Sequence, residues 1–99
     1  MFARVVRWEG ADPEALKASA DQIRSDVEAS DGPPEGVPAK GLIILQDTDG
    51  GRAMAITLFE TAEDYEQGDA TLNSMSPPGD GMGQRVGVEK YEVVVQAEA

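Results

Sequence analysis

The chain has 99 residues and a mass of 10.5 kDa, the size of one small domain with a single core. Its 8 Lys and Arg against 19 Asp and Glu give a net charge of -11, which disfavours binding to nucleic acid or to anionic membrane surfaces. The sequence has no Cys and no His, so it lacks thiolates and the commonest metal ligand and neutral-pH base. We therefore expect one domain, residues 1–99, with no metal and no cofactor.

The N-terminal segment from Phe2 to Trp8 alternates in polarity and is rich in β-branched and aromatic residues, which predicts a first strand. Arg4 and Arg7 interrupt its apolar character, so it does not resemble a signal peptide. The sequence also contains no run of 18 apolar residues. These features lead us to expect a cytoplasmic protein.

The next segment has the start signals and the periodicity of an amphipathic helix. Asp12 can cap free backbone amides, and Pro13 suits the first helical position. One apolar stripe then follows at helical spacing, formed by Leu16, Ala20, Ile23 and Val27. We predict a helix over roughly 13–29 and a proline-rich loop over 30–38.

Two strands joined by a tight turn follow the loop. Residues 41–46 are almost continuously apolar, which predicts a strand covered on both faces. Residues 47–51 contain Asp-Gly and Gly-Gly pairs typical of hairpin turns, and residues 52–59 form the return strand. The acidic turn resembles a calcium loop only superficially, because Leu58 stands where such a loop needs Glu.

A second helix and a last strand complete the chain. Thr61 and Asp64 resemble a capping box, and the apolar stripe of Tyr65, Leu72 and Met75 is interrupted by Gly68. A helical Gly is costly, so we expect Gly68 to mark close packing against a neighbour. Residues 76–83 break the helix and form either a connector or a mobile lid, and residues 85–95 form the closing strand.

The order β-α-β-β-α-β predicts a ferredoxin-like α+β fold, with a four-stranded antiparallel sheet and both helices on one face. That arrangement leaves the second face of an apolar sheet uncovered. A second copy related by a two-fold axis is the economical partner. We therefore expect a homodimer in which two sheets face each other as a dimeric α+β barrel.

Three segments resemble the dimeric α/β barrel superfamily, near the antibiotic biosynthesis monooxygenase-like proteins: residues 56–64 (ITLFETAED), 68–75 (GDATLNSM) and 88–93 (VEKYEV). The resemblance implies a pocket between sheet and helices. It also implies the chemistry of cofactor-independent oxygenases or of haem-degrading monooxygenases. The haem branch needs a histidine ligand that this chain lacks, and the first strand carries no Asn of the kind that the oxygenases use. No catalytic set is carried over.

The candidate ligand-binding residues are the large aromatics and the strand arginines, namely Trp8, Tyr65, Tyr91, Arg4 and Arg7. Indole and phenol groups can stack on a planar ligand, but amphipathic aromatics favour a core or a dimer interface in any case, and that is the interpretation we prefer for them. Alternation places one strand arginine towards the interior, where its guanidinium needs an anion. That anion is a carboxylate or enolate of a ligand, or it is the side chain of an Asp or Glu, which the abundance of carboxylates in the chain favours. The same two alternatives apply to Arg85 and Lys90.

Two functional hypotheses follow. In the first, the homodimer binds a small planar organic molecule between sheet and helices and acts as a cofactor-independent monooxygenase or isomerase. In the second, the protein is a non-catalytic binding or interaction protein whose sheet-helix space is filled with side chains. Small residues facing the helices favour the first and a solid apolar core the second, and Ala3, Ala53 and Ala55 leave both open.

Overall fold

The computed structural model describes residues 1–30, 32, 36–74 and 83–97. Its elements follow the predicted order: β1 (Phe2–Glu9), α1 (Pro13–Ala29), β2 (Ala39–Asp47), β3 (Arg52–Phe59), α2 (Ala62–Ser74) and β4 (Gln84–Glu92). Residues 76–82 of the predicted connector or lid lie outside the described residues. Met75 of the predicted apolar stripe also lies outside them.

Both helices begin at the caps that the sequence predicts. The Asp12 carboxylate accepts hydrogen bonds from the backbone amides of Glu14 and Ala15, at 3.1 and 3.3 Å. The Thr61 hydroxyl accepts one from the amide of Asp64 at 3.1 Å. These bonds satisfy amides that have no partner inside the helix, and they fix where each helix leaves its strand.

The four strands form one antiparallel sheet in the order β2-β3-β1-β4, which confirms the ferredoxin-like α+β fold. The even-numbered residues of β1 face the helices: Arg4 bonds to α2, while Val6 and Trp8 pack with Leu16 of α1. The odd-numbered residues point to the other face, since side chains alternate along a strand. We call this second surface, which carries no helix in the described chain, the open face.

In the part of the chain that the structure describes, the core between the sheet and the helices has two apolar clusters. One joins Val6 and Trp8 of β1 to Leu16 of α1 and Ala53 of β3. The other joins Val37 and Phe59 to Tyr65 of α2, with Leu72 packed against them. Leu16 and Phe59 are fully buried and anchor the two helices on the sheet.

Strand β2 carries Ile43 and Leu45 on the open face, 46% and 49% exposed in the single chain, where the sequence predicts cover by a second copy. On its helix side β2 is less covered than predicted, because Leu42 remains 50% exposed. The reason is topological: β2 is an edge strand, and α1 makes its buried contact through Leu16 over β1 and β3. The C-terminal end of the apolar stripe of α1 is correspondingly bare, with Val27 55% exposed.

The last strand is shorter than predicted and ends at Glu92 instead of Val95. Its neighbour β1 begins at Phe2, which pairs with Glu92, and one further backbone bond joins the amide of Val93 to the carbonyl of Met1. Among the described residues no strand lies beside Val94 and Val95, which are 88% and 79% exposed.

Candidate functional site

The five residues that the sequence puts forward as a pocket lie on two different faces of the sheet. Arg4, Trp8 and Tyr65 are buried on the side that carries the helices. Arg7 and Tyr91 lie on the open face, as their alternation with Trp8 and Lys90 along the strands requires. The structure therefore places three of the five residues on one side of the sheet and two on the other, and on the helix side Trp8 and Tyr65 lie in separate apolar clusters.

Arg4 is held by α2. Its side chain is 6% exposed, and its Nε lies 2.7 Å from Oδ1 of Asp69. Its Nη2 donates to Oδ1 of Asn73 at 2.9 Å, and the same oxygen accepts a bond from Arg85 Nη2 at 2.9 Å. A protein carboxylate therefore supplies the anion, as the sequence favours, and neutralises a charge that would be costly to bury alone.

Trp8 and Tyr65 fill space between the sheet and the helices. Trp8 is 5% exposed and packs with Leu16 and Ala53. The Tyr65 ring meets Phe59 edge-to-face, with centroids 5.6 Å apart. Burial, followed by the nearby Asp69 carboxylate, raises the pKa of Tyr65. Both aromatics thus act as core residues in this chain.

On the open face, Arg7 and Tyr91 converge on one carboxylate. Arg7 Nε lies 2.9 Å from Oε1 of Glu89, and the Tyr91 hydroxyl donates to Oε2 at 2.6 Å. This hydrogen bond is the main cause that raises the pKa of Tyr91. Beside them lies a shallow hollow of about 770 Å³, whose apolar lining includes Leu45, Met54 and Val86.

A second recess lies between α1 and β2, and we call it the α1–β2 groove. Its volume is about 550 Å³, and it is lined by Ala20, Ile23, Arg24, Val27, Glu28, Leu42, Ile44, Gln46 and Thr48. The amide nitrogen of Gln46 is buried and has no hydrogen-bond partner among the described residues. Gln46 is not among the site residues predicted from the sequence. The signal was present, however: Gln46 is the polar member of the helix-facing set Leu42, Ile44 and Gln46.

The acidic hairpin is a turn, as predicted. The Asp47 carboxylate accepts hydrogen bonds from the amide of Gly50 at 3.1 Å and from Nη2 of Arg52 at 2.7 Å. The bond from Arg52, followed by that from Gly50, lowers the pKa of Asp47. Within the described ranges no three acidic side chains converge as a metal site would require. In the same part of the chain no helix has the length and apolarity to cross a membrane.

Comparison with known proteins gives no family assignment: no protein-family model matches the chain, and no curated protein is significantly similar to it.

Proposed function

We propose that the protein is a homodimeric α+β barrel in which the open faces of two sheets pack against each other. The observation that carries this proposal is the apolar character of that face. Along its centre lie Val5, Ile43 and Ile56, which are cross-strand neighbours. Ile43 and Leu45 are nearly half exposed in the single chain. Exposed apolar patches of this kind mark interaction surfaces.

The charge distribution supports a second copy as the partner. Two chains with a net charge of -11 repel each other, so their association is most favourable through a surface without unpaired acidic groups. The charges near the centre of the open face, Arg7 and Glu89, already neutralise each other. A surface with few charges and an aromatic residue such as Tyr91 has the composition of an interface core.

The size of the face is also appropriate. Four strands about 4.8 Å apart and about eight residues long cover a flat area of order 500 Å². With the relief of the side chains added, this approaches the roughly 800 Å² that each partner buries in stable complexes. The exposed Val94 and Val95, which follow β4, can extend the contact further.

Within this dimer we favour a non-catalytic binding or interaction role over that of an oxygenase. Trp8, Leu16, Phe59 and Tyr65 fill much of the space between sheet and helices, and the candidate pocket residues are divided between two faces. The alternative, binding of a small planar organic molecule in the manner of the cofactor-independent monooxygenases that the chain resembles, is supported by one observation. The sheet-helix space stays open at the α1–β2 groove.

Native mass spectrometry and sedimentation of the purified protein test the dimer. We expect twice the 10.5 kDa chain mass at micromolar concentration. Ile56→Lys, which places a charge between Val5 and Ile43, should give a folded monomer. The matched control is Ala18→Lys on the exposed side of α1, which should remain dimeric. A wild-type monomer at that concentration would contradict the proposed dimer. Organic mass retained on the dimer would favour the small-molecule alternative.

A further inference from the structure

We propose that the outer edge of β2 is a second interaction surface, at which two copies of the chain pair their β2 strands antiparallel about a two-fold axis perpendicular to the sheet. The contact joins two four-stranded sheets into one sheet of eight strands. It goes beyond the proposed dimer, because it uses the edge of the sheet and leaves the open face free. Two-fold axes at right angles, one for each contact, are the symmetry of a closed tetramer.

The β2 edge lacks the features that keep sheet edges from pairing. In the described chain β2 has a neighbouring strand on one side alone, so every second N–H and C=O of β2 points outwards without a strand partner. Natural proteins protect such edges with charged residues, Pro or bulges. The irregularity in the pairing of β2 lies at its start, between Ala39 and Gly41, and residues 41–46 (GLIILQ) contain neither a charge nor Pro. A regular, uncharged edge of this kind is a template for another strand.

The side chains of β2 require a partner that is apolar on both faces. Leu42, on the helix side, and Ile43 and Leu45, on the open face, are all about half exposed in the single chain. Packing of two open faces would cover Ile43 and Leu45 but not Leu42. A strand beside β2 would cover residues on both faces, because side chains alternate across a sheet. The exposure of Leu42 therefore favours a partner at the edge.

The sequence of β2 is complementary to itself. Residues that oppose each other in an antiparallel pair share a face, so the two-fold axis passes beside one residue and not between two. With the axis at Ile43, this residue lies opposite Ile43 of the second copy, and Leu42 lies opposite Ile44 of the second copy. Gly41 then lies opposite Leu45. These cross-strand pairs bring apolar side chains together, and such pairs stabilise a sheet.

The charges around the edge allow two acidic chains to approach. Lys40 and Asp47 are the charged residues of β2, and each already has a partner: Glu60 lies 3.4 Å from Lys40, and Arg52 lies 2.7 Å from Asp47. The edge is therefore close to neutral although the chain carries a net charge of -11.

The α1–β2 groove beside the edge adds a complementary pattern. Arg24 and Glu28 line its α1 side, four residues apart. A two-fold axis reverses the direction of the second α1, so it would bring Arg24 of one copy towards Glu28 of the other. Val27, which lines the same wall and is 55% exposed, would be covered at the same time.

The contact is small, so it should be weaker than the open-face dimer. Residues 41–47, at about 3.4 Å each and in a sheet about 10 Å thick, present an area of about 240 Å². Stable complexes bury about 800 Å² on each partner. We therefore expect pairing of the edges at about 0.1 mM and above, and not at micromolar concentration.

Sedimentation equilibrium from about 5 µM to about 1 mM tests the pairing. Wild type should rise from the dimer mass towards the tetramer mass, and Ile56→Lys from the monomer mass towards the dimer mass. Leu42→Lys places a charge at the edge on the helix side, away from the open face, and should stay a dimer throughout. The matched control Ala18→Lys, on the exposed side of α1, should associate like wild type.

Failure of either contact gives a different pattern. If the open-face dimer is wrong, wild type and Ile56→Lys will both rise from monomer to dimer, and Leu42→Lys will stay a monomer. If the mass of wild type does not rise up to about 1 mM, or if Leu42→Lys matches wild type at every concentration, the edge pairing is overturned.

A disulfide tests the position of the axis. The chain has no Cys, so Ile43→Cys in the Ile56→Lys background carries one thiol, and the background removes the open-face dimer. Opposed Cα atoms in an antiparallel pair lie about 4.5–5.5 Å apart, within the range of a disulfide. Under mild oxidation we expect Ile43→Cys to form linked dimers at least about tenfold faster than Ala18→Cys in the same background. Equal rates for the two variants would contradict the pairing about Ile43.

Discussion

Gly68 of α2 lies directly against the ring of Phe59 at the end of β3. A Cβ placed on Gly68 would overlap Cε1 and Cζ of that ring. Phe59 has no room to retreat, since it is fully buried and meets Tyr65 edge-to-face. The prediction that Gly68 marks close packing is therefore confirmed, and the helix tolerates a poor helix former because the sheet must approach it at this point.

Gly68→Ala should consequently destabilise the protein, although Ala is the better helix former by up to about 1 kcal/mol. Overpacking a buried site typically costs about 1–3 kcal/mol, so after the gain in helix propensity we expect a net loss of up to about 2 kcal/mol in the free energy of unfolding by urea. The control Gln67→Ala, at the adjacent exposed position of α2, should change that free energy by less than about 0.5 kcal/mol. A more stable Gly68→Ala variant would contradict the close contact.

Replacing Asp by Ala should lower the free energy of unfolding much more in the buried Arg4–Asp69 pair than in the exposed Arg24–Asp21 pair. Asp69→Ala leaves a guanidinium that is only 6% exposed without its carboxylate, and should cost about 2–3 kcal/mol, because Asp69 itself is a third exposed and partly screened. Asp21→Ala breaks the exposed pair with Arg24 and should change stability by less than about 0.5 kcal/mol. Equal losses of stability in chemical denaturation would show that burial does not increase the contribution of the Arg4–Asp69 pair.

A double-mutant cycle isolates the interaction from other effects of each substitution. In Arg4→Met the buried charge is absent, so the further change Asp69→Ala should cost much less than it does in wild type. The expected coupling between the two residues is about 1–2 kcal/mol. Independent, additive effects would locate the stabilising contribution of Arg4 in its bond to Asn73 instead.

The sequence predicts the fold well because its local signals agree with one another. The Asp12 and Thr61 caps and the turn after Asp47 each depend on neighbouring residues, and each forms as predicted. The pocket was harder to predict for a physical reason. Alternation assigns Arg4 and Arg7 to opposite faces, but a single sequence does not reveal which face a helix covers or how far that helix extends towards an edge strand.

Gln46 illustrates the same limit. Its position at the end of an apolar run is visible in the sequence, but its burial without a partner depends on where α1 lies relative to β2. The position of α1 relative to the sheet also determines how far Val27 is buried. It belongs to a regular apolar stripe, yet it remains half exposed because α1 makes its buried contact nearer its N-terminal end, at Leu16.

The hairpin predicts a specific pH dependence. The hydrogen bond from Arg52 lowers the pKa of Asp47 in the folded chain, so this carboxylate stabilises the fold above its unfolded pKa of about 3.9. That contribution is lost as the pH falls through the lower folded value. The difference in stability between wild type and Asp47→Asn should therefore be constant near neutral pH and shrink below about pH 4. A difference that grows in acid would contradict this ion pair.

The titration of Tyr91 connects the hydrogen bonds of the open face to the proposed dimer. Its bond to Glu89 raises the phenol pKa, so Glu89→Gln should return that pKa towards the ordinary value of about 10. The phenolate absorbance of Tyr65→Phe reports Tyr91 alone, because the chain has only two tyrosines.

Dimerisation through the open face would bury Tyr91 further and raise the pKa of its phenol again, because burial disfavours the charged phenolate. In the Tyr65→Phe background, adding Ile56→Lys should therefore lower the pKa of Tyr91, whereas Ala18→Lys should not. In the complementary variant Tyr91→Phe the phenolate absorbance reports Tyr65, which lies on the helix side of the sheet. Its surroundings should not change on dimerisation, so adding Ile56→Lys should leave the pKa of Tyr65 unchanged. If Tyr91 titrates identically in dimer and monomer, it lies outside the interface, and the two sheets meet elsewhere.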